Sequence, residues 1–377
     1  MIFQLPTASS AELVLFNLVL LFAIFTLQRK ALKHPFCVAK SNRFTAVFLM
    51  FIFVLFSFWG ADWFHYKEGY SDLCNGYSGH MENIYVWIAQ NLSIGYLSFR
   101  FAVWGTGLIL LLMTIKRLPL KQDLVLLFWG SFWMIWFSYA RVSLGLALCF
   151  WGLSVLYNPY RLKILSYILA ITAISCSFVF HKSIFVLLFA VLLTFLSFRL
   201  NRKLFIVIVF FAIPLLVSLI KAGITTLFLF DVDASEGSIE QSISSGQYYL
   251  GAGQEAGIKG IGQRLATFLG AIPNYLLLVQ SLRMSFKKNV DNVPKSIQVF
   301  IRLFVILVLI ASLFLFDFGI DTSVLFIRFI RFAAFPCAIL LAYFWENRRY
   351  PKLTRWTFYL AALSTLYSVS YSLYLNT

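Results

Sequence analysis

Three stretches of the chain set chemically capable side chains beside apolar runs. The segment Y-A-R-V-S-L-G carries Arg141 just before the run Val142–Tyr157. F-V-F-H-K-S carries His181 and Lys182 just after the run Ile164–Phe180, and G-A-D-W-F-H-Y carries Asp62, His65 and Tyr66 just beyond an earlier run. Only Asn158-Pro159-Tyr160-Arg161-Leu162-Lys163 separates the first two runs, so if both cross a bilayer, Arg141 and the His181–Lys182 pair return to the same face. Ionisable residues at helix ends on one face of a membrane bundle point to function by default. A neutral imidazole there can serve as general base or donate to a phosphate. An arginine fork matches phosphate oxygens two at a time. Asp62 is suited to bind a sugar hydroxyl, to act as base or to orient an arginine. The plain alternative is that all of these are interfacial charges marking helix ends.

The same face collects Arg264, Arg328 and Arg331, together with Asp317 and Asp321. Arg328 and Arg331 are three residues apart and share a face if that stretch is helical. An arginine inside a spanning helix costs about 2.5–3.5 kcal/mol on insertion scales, so an anionic partner is expected. Asp317 and Asp321 supply one as structural ion pairs; a phosphate or pyrophosphate ligand is the sharper reading. Tyr66, Tyr70 and Trp63 suit sugar faces, and an aromatic membrane belt explains them equally well.

The elements that must hold these residues are membrane helices. The 377 residues are 61% hydrophobic with 42 Phe, well above the roughly 45–50% apolar share of a soluble chain. Lipid cannot satisfy backbone polar groups, so the runs must be helices or a closed barrel. They lack barrel alternation, which leaves an all-α polytopic bundle. Runs of suitable length predict about twelve spans: Ala11–Leu27, Phe44–Gly60, Tyr96–Ile115, Leu124–Ala140, Val142–Tyr157, Ile164–Phe180, Ser183–Phe198, Leu204–Ile220, Leu265–Leu282, Val299–Phe316, Val324–Trp345 and Trp356–Leu375. The two spans flanking Arg141 are short enough to be one bent element.

A net charge of +16 would suggest nucleic acid in a soluble protein. Here the basic residues cluster after odd-numbered spans, as in Arg29-Lys30, Lys116-Arg117 and Arg348-Arg349, while those loops hold only Asp123, Asp291 and Glu346 among the acids. The positive-inside rule makes these loops cytoplasmic and both termini external. Residues before Ala11 hold no Lys or Arg, so no cleavable signal peptide is expected. The chain 1–377 is expected to form a single polytopic domain with two larger outer loops, 61–95 and 221–264. The first contains an amphipathic stretch, Ile84–Ile88, suited to lie in the interface or pack on the bundle. The second is rich in glycine and acids and reads as a flexible lid or a disordered insertion.

No H-E-x-x-H, serine elbow or G-x-x-x-x-G-K-[ST] occurs, and the five Cys form no C-x-x-C. These patterns give no support to metalloprotease, serine-hydrolase or nucleotide-binding readings, and no metal, cofactor or disulfide is expected.

Asp62, the Arg141 helix start R-V-S-L-G-L-A and F-H-K-S around His181 resemble the EpsG family, which is similar to Wzy-type O-antigen polymerases. The likeness is clearest over about residues 55–200. It implies a GT-C-like membrane glycosyltransferase of the bacterial inner membrane with a periplasmic active site. The implied reaction is inverting and metal-independent. It moves a glycan from undecaprenyl pyrophosphate to the terminal sugar hydroxyl of a second lipid-linked repeat unit, and a chain-length regulator is an implied partner. Motif positions carry Arg141, His181 and Asp62 over as catalytic residues. Arg328, Arg331, Lys182, Arg264, His65 and Tyr66 are expected to bind substrate. The rival readings are a flippase for the same lipid-linked unit, an O-antigen ligase and a membrane acyltransferase.

Overall fold

The computed structural model describes residues 10–33, 39–56, 67, 69–77, 82–92, 95–134, 142–181, 183–199, 271–284, 293–315 and 329–376. Among these, every regular element is a helix. Three are long and apolar enough to cross a membrane: Tyr96–Arg117, Lys163–Phe180 and Lys295–Ser312. Shorter apolar helices cover Leu15–Arg29, Arg43–Leu55, Ser143–Tyr157 and Ile184–Phe198. All seven fall on predicted spans, and the protein is a helical membrane protein. The predicted span Leu204–Ile220 and the loop 221–264 lie outside the described residues.

The chain divides into two compact units, Met1–His181 with Ala362–Thr377, and Lys182–Ala361. In the first unit, α1 (Ser10–Lys33) packs on α2 (Ala39–Leu55). Within 61–95, the described residues include two short helices, α3 (Tyr70–Cys74) and α4 (Asn83–Asn91). Helix α4 contains the amphipathic stretch and packs inward: Tyr85, Ile88 and Ala89 are buried and Trp87 is exposed. The long helix α5 (Tyr96–Arg117) includes a π-helical turn at Phe101–Gly105 that touches α2. Helix α6 (Gln122–Phe128) runs into a second π-turn, Trp129–Trp133, against α1.

Helix α7 (Ser143–Tyr157) is the core of this unit. Apolar and small residues surround it on all sides, from Leu144 and Gly145 to Leu153 and Val155, as expected of a helix packed on every face. It lies between α5 and α8 (Lys163–Cys176), which continues as a 3₁₀ turn, Ser177–Phe180. Helix α8 is the opposite case: Ile164, Leu165, Ile168 and Ile171 are exposed, and its inner face is small, with Ser166, Ala170 and Ala173. That is the pattern of a helix facing lipid on one side and pressed backbone-close on the other. The close approach is at Gly152, where an added Cβ would lie 2.9 Å from the Ala170 carbonyl oxygen and 2.9 Å from an Ile174 side-chain carbon. Gly152→Ala is therefore expected to destabilise the first unit by about 1–3 kcal/mol through overpacking. Thermal unfolding of detergent-solubilised protein checks this, and an unchanged midpoint would refute the contact.

One end of this unit is fastened by basic residues. Arg43 forks onto Asp123, with Nε–Oδ1 at 2.6 Å and the second nitrogen on Oδ2 at 2.8 Å. Arg117 donates to the Asn158 carbonyl, receives the Asn158 amide on its own carbonyl at 3.1 Å and stacks over Tyr160. These pairs join the starts of α2 and α6 and the ends of α5 and α7. Helices α5 and α8 each run from this end to the other, so Tyr96 and Phe180 both lie at the end opposite the basic clamps.

In the second unit, α9 (Ile184–Arg199) and α12 (Ala334–Glu346) pack on α11 (Lys295–Leu315), whose Ile297, Phe300, Phe304 and Ile310 are buried. Residues 271–284 form α10, and α13 (Pro351–Asn376) starts in this unit. A buried polar knot ties α10 to α13: Gln280 donates to Thr357 at 3.0 Å and accepts from Thr354 at 3.0 Å. Paired polar side chains of this kind hold helices together where lipid gives no hydrophobic drive.

Candidate active site

The site forms at the end of the first unit away from the basic clamps. Helix α8 tightens into its 3₁₀ turn before stopping, one of the usual ways of engaging the last carbonyls of a helix. The His181 amide then donates to the Phe178 carbonyl at 3.2 Å. His181 itself is extended, with φ −170° and ψ 131°, so the chain leaves the helix axis at this residue.

Helix α4 meets it from the segment 61–95. Glu82, immediately before α4, places Oε1 3.7 Å from His181 Nε2. Their side chains are 17% and 19% exposed, so the pair is largely withdrawn from water without being closed off. One turn further on, Tyr85 donates its hydroxyl to the Phe180 carbonyl at 3.0 Å. A carboxylate, an imidazole and a phenol thus converge on a two-residue segment. An imidazole with a carboxylate on one nitrogen is built for proton transfer at the other.

Beneath this pair runs an aromatic chain. The Tyr85 ring lies 6.4 Å from Phe180 and 6.5 Å from Phe99. Phe99 continues to Trp104 at 6.2 Å and to Tyr96 at 6.4 Å. Tyr70 packs on Tyr96 and Phe99, at 5.7 and 5.5 Å. Its ring is therefore engaged in packing against neighbouring rings.

Arg100 is fully buried near the start of α5. It donates to the Val54 carbonyl at 2.7 Å, reaches the Tyr96 hydroxyl at 3.4 Å and sits 4.6 Å from the Trp104 ring centre. Val54 belongs to the last turn of α2, whose final carbonyls have no partner within the helix. Arg100 therefore caps α2 and complements its dipole.

Of the residues expected from sequence, His181 is at this site. Arg331 belongs to the second unit, where it opens a 3₁₀ turn, Arg331–Ala333, at the start of α12. Asp62, His65, Tyr66, Arg141, Lys182, Arg264 and Arg328 lie outside the described residues. Among the described residues, no group of three or more His, Cys, Asp or Glu comes together as a metal site. Sequence reasoning misses Glu82 as a partner and Arg100 altogether. Arg100 had a usable signal, an arginine inside an apolar run long enough to span. Glu82 had none beyond its place in the loop.

Helices that cross a membrane, with an imidazole–carboxylate pair at the end opposite the basic clamps, define a polytopic membrane protein with an enzyme-like site. The chain belongs to the EpsG family, whose model matches residues 42–376. The match reaches well beyond the stretch whose motifs carry the resemblance. It marks a membrane protein of polysaccharide biosynthesis, of polymerase-like, glycosyltransferase-like character. No curated protein and no solved structure matches the chain.

Proposed function

We propose that this protein polymerises lipid-linked oligosaccharide repeat units on the periplasmic face of the bacterial inner membrane. The donor is a growing glycan on undecaprenyl pyrophosphate, and the acceptor is the terminal sugar hydroxyl of a second lipid-linked unit. The observation that carries this reading is His181: an imidazole at the outer end of a spanning helix, 3.7 Å from a carboxylate, in an EpsG-family chain. The sorting of Lys and Arg into alternate loops supports an outward-facing site.

In this mechanism His181 takes the proton of the acceptor hydroxyl as that oxygen attacks the donor's anomeric carbon from the face opposite the pyrophosphate. The bond from anomeric carbon to pyrophosphate oxygen breaks, its electron pair leaves with the pyrophosphate, and the configuration inverts. Arg141 meets the charge that develops there, the task a metal performs in nucleotide-sugar enzymes. Arg328, Arg331, Lys182 and Arg264 add positive charge around the lipid pyrophosphate. Asp62, His65 and Tyr66 hold sugar hydroxyls and faces. A chain-length regulator would act on this enzyme from outside the bundle.

Deleting the gene tests the reading. The expected result on a gel of surface polysaccharide is loss of the ladder, with core plus one repeat unit retained. Loss of every repeat unit, including the first, would overturn polymerisation in favour of a flippase or ligase.

A further inference from the structure

We propose that α4 is the positioning element of the catalytic base: Glu82 orients the His181 ring, and Tyr85 fixes the backbone that carries it. This rests on the reading of His181 as base and adds two residues to the reaction. Neither is marked by any sequence motif.

Two independent contacts converge here. The Glu82 carboxylate faces Nε2 of His181 at 3.7 Å, within ion-pair range. The Tyr85 hydroxyl, one turn along the same helix, holds the Phe180 carbonyl at 3.0 Å. The His181 amide is already bound to Phe178, so the peptide on the amino side of His181 is held at both its carbonyl and its N–H. Tyr85 is itself fully buried, and its ring is flanked by Phe99 and Phe180. The hydroxyl therefore points from a fixed post.

The chemistry is set by which nitrogen faces the carboxylate. With Nε2–H directed at Glu82, the lone pair lies on Nδ1, and Nδ1 is the atom that accepts the acceptor hydroxyl's proton. As that proton arrives the ring becomes an imidazolium, and the neighbouring carboxylate stabilises its charge. The new bond joins the acceptor oxygen to the anomeric carbon, the bond to pyrophosphate breaks, and the proton rests on Nδ1 until it passes to water. The titratable groups of α4 and its N-terminal flank that meet this segment are Glu82 and Tyr85, and Lys182 is the next residue in the chain. Glu82 and Tyr85 touch no reacting atom; both are positioning residues.

The test uses membranes bearing full-length variants at matched abundance, supplied with lipid-linked repeat units extracted from the deletion strain. Glu82→Gln is expected to lower kcat about 10–100-fold, the size of losing an opposite charge within about 4 Å of the imidazolium, with KM unchanged. Glu82→Asp is expected to recover part of that loss. Tyr85→Phe, which keeps the ring, is expected to cost about tenfold. The decisive arm is a double-mutant cycle: in a His181→Ala background, Glu82→Gln should cost nothing further, because it acts only through the imidazole. If Glu82→Gln fails to accumulate, the same cycle is run with Glu82→Asp. Full kcat in Glu82→Gln, or a loss that multiplies with that of His181→Ala, would overturn the positioning role. A fully active His181→Ala protein would overturn the base as well, and so separates the two failures.

Discussion

His181→Ala is expected to cut polymerisation about 10²–10⁴-fold, the usual span for removing a positioned general base. The variant should still reach the membrane, because His181 sits past the end of the α8 turn rather than within a helix. His181→Gln keeps a hydrogen-bonding side chain facing Glu82 but cannot take a proton at neutral pH, so it should be as inactive as alanine. Matched blots and polysaccharide gels for the two variants decide the question. A normally abundant His181→Gln protein with a full ladder would remove His181 from the mechanism.

The second large effect is expected at Arg141. If it stabilises charge on the leaving pyrophosphate, the contact strengthens as the glycosidic bond breaks. Removing such a contact costs about 2.7–4 kcal/mol, or about 10²–10³ in rate. Arg141→Ala should therefore abolish the ladder at normal protein level. Arg141→Lys should retain only part of the activity, since an ammonium keeps the charge and loses the planar fork. A helix-end anchor behaves differently: lysine then replaces arginine without loss, and alanine lowers abundance and activity together.

The helical membrane class was legible from composition, because lipid imposes one solution on long apolar runs. The apolar helices fall where hydropathy places them, and His181 is found at a helix end as its flanking run implies. The two π-turns, Phe101–Gly105 and Trp129–Trp133, were not legible. One extra residue in a turn leaves mean hydropathy unchanged and only rotates the residues beyond it about the helix axis. Arg100 was hidden for a related reason: counting spans treats a lone charge in an apolar run as tolerable, whereas here it caps α2. Ile84–Ile88 was readable as amphipathic, and α4 buries Tyr85 and Ile88 accordingly. Its pairing with Phe180 and His181 was not, since nothing in a local pattern records a contact with a segment so distant in sequence.

That distance also bears on how the site comes into being. The Tyr85–Phe180 hydrogen bond joins residues 95 apart in sequence. Loop-closure entropy must be overcome before so remote a contact returns any stability. During synthesis α4 is made long before α8, when its carboxylate and phenol have nothing to pair with. Only when α8 has crossed the bilayer does Phe180–His181 arrive at the same end. The imidazole and the carboxylate and phenol beside it are therefore brought together late, from parts made at different times, and a chain arrested before α8 would hold only half of the constellation.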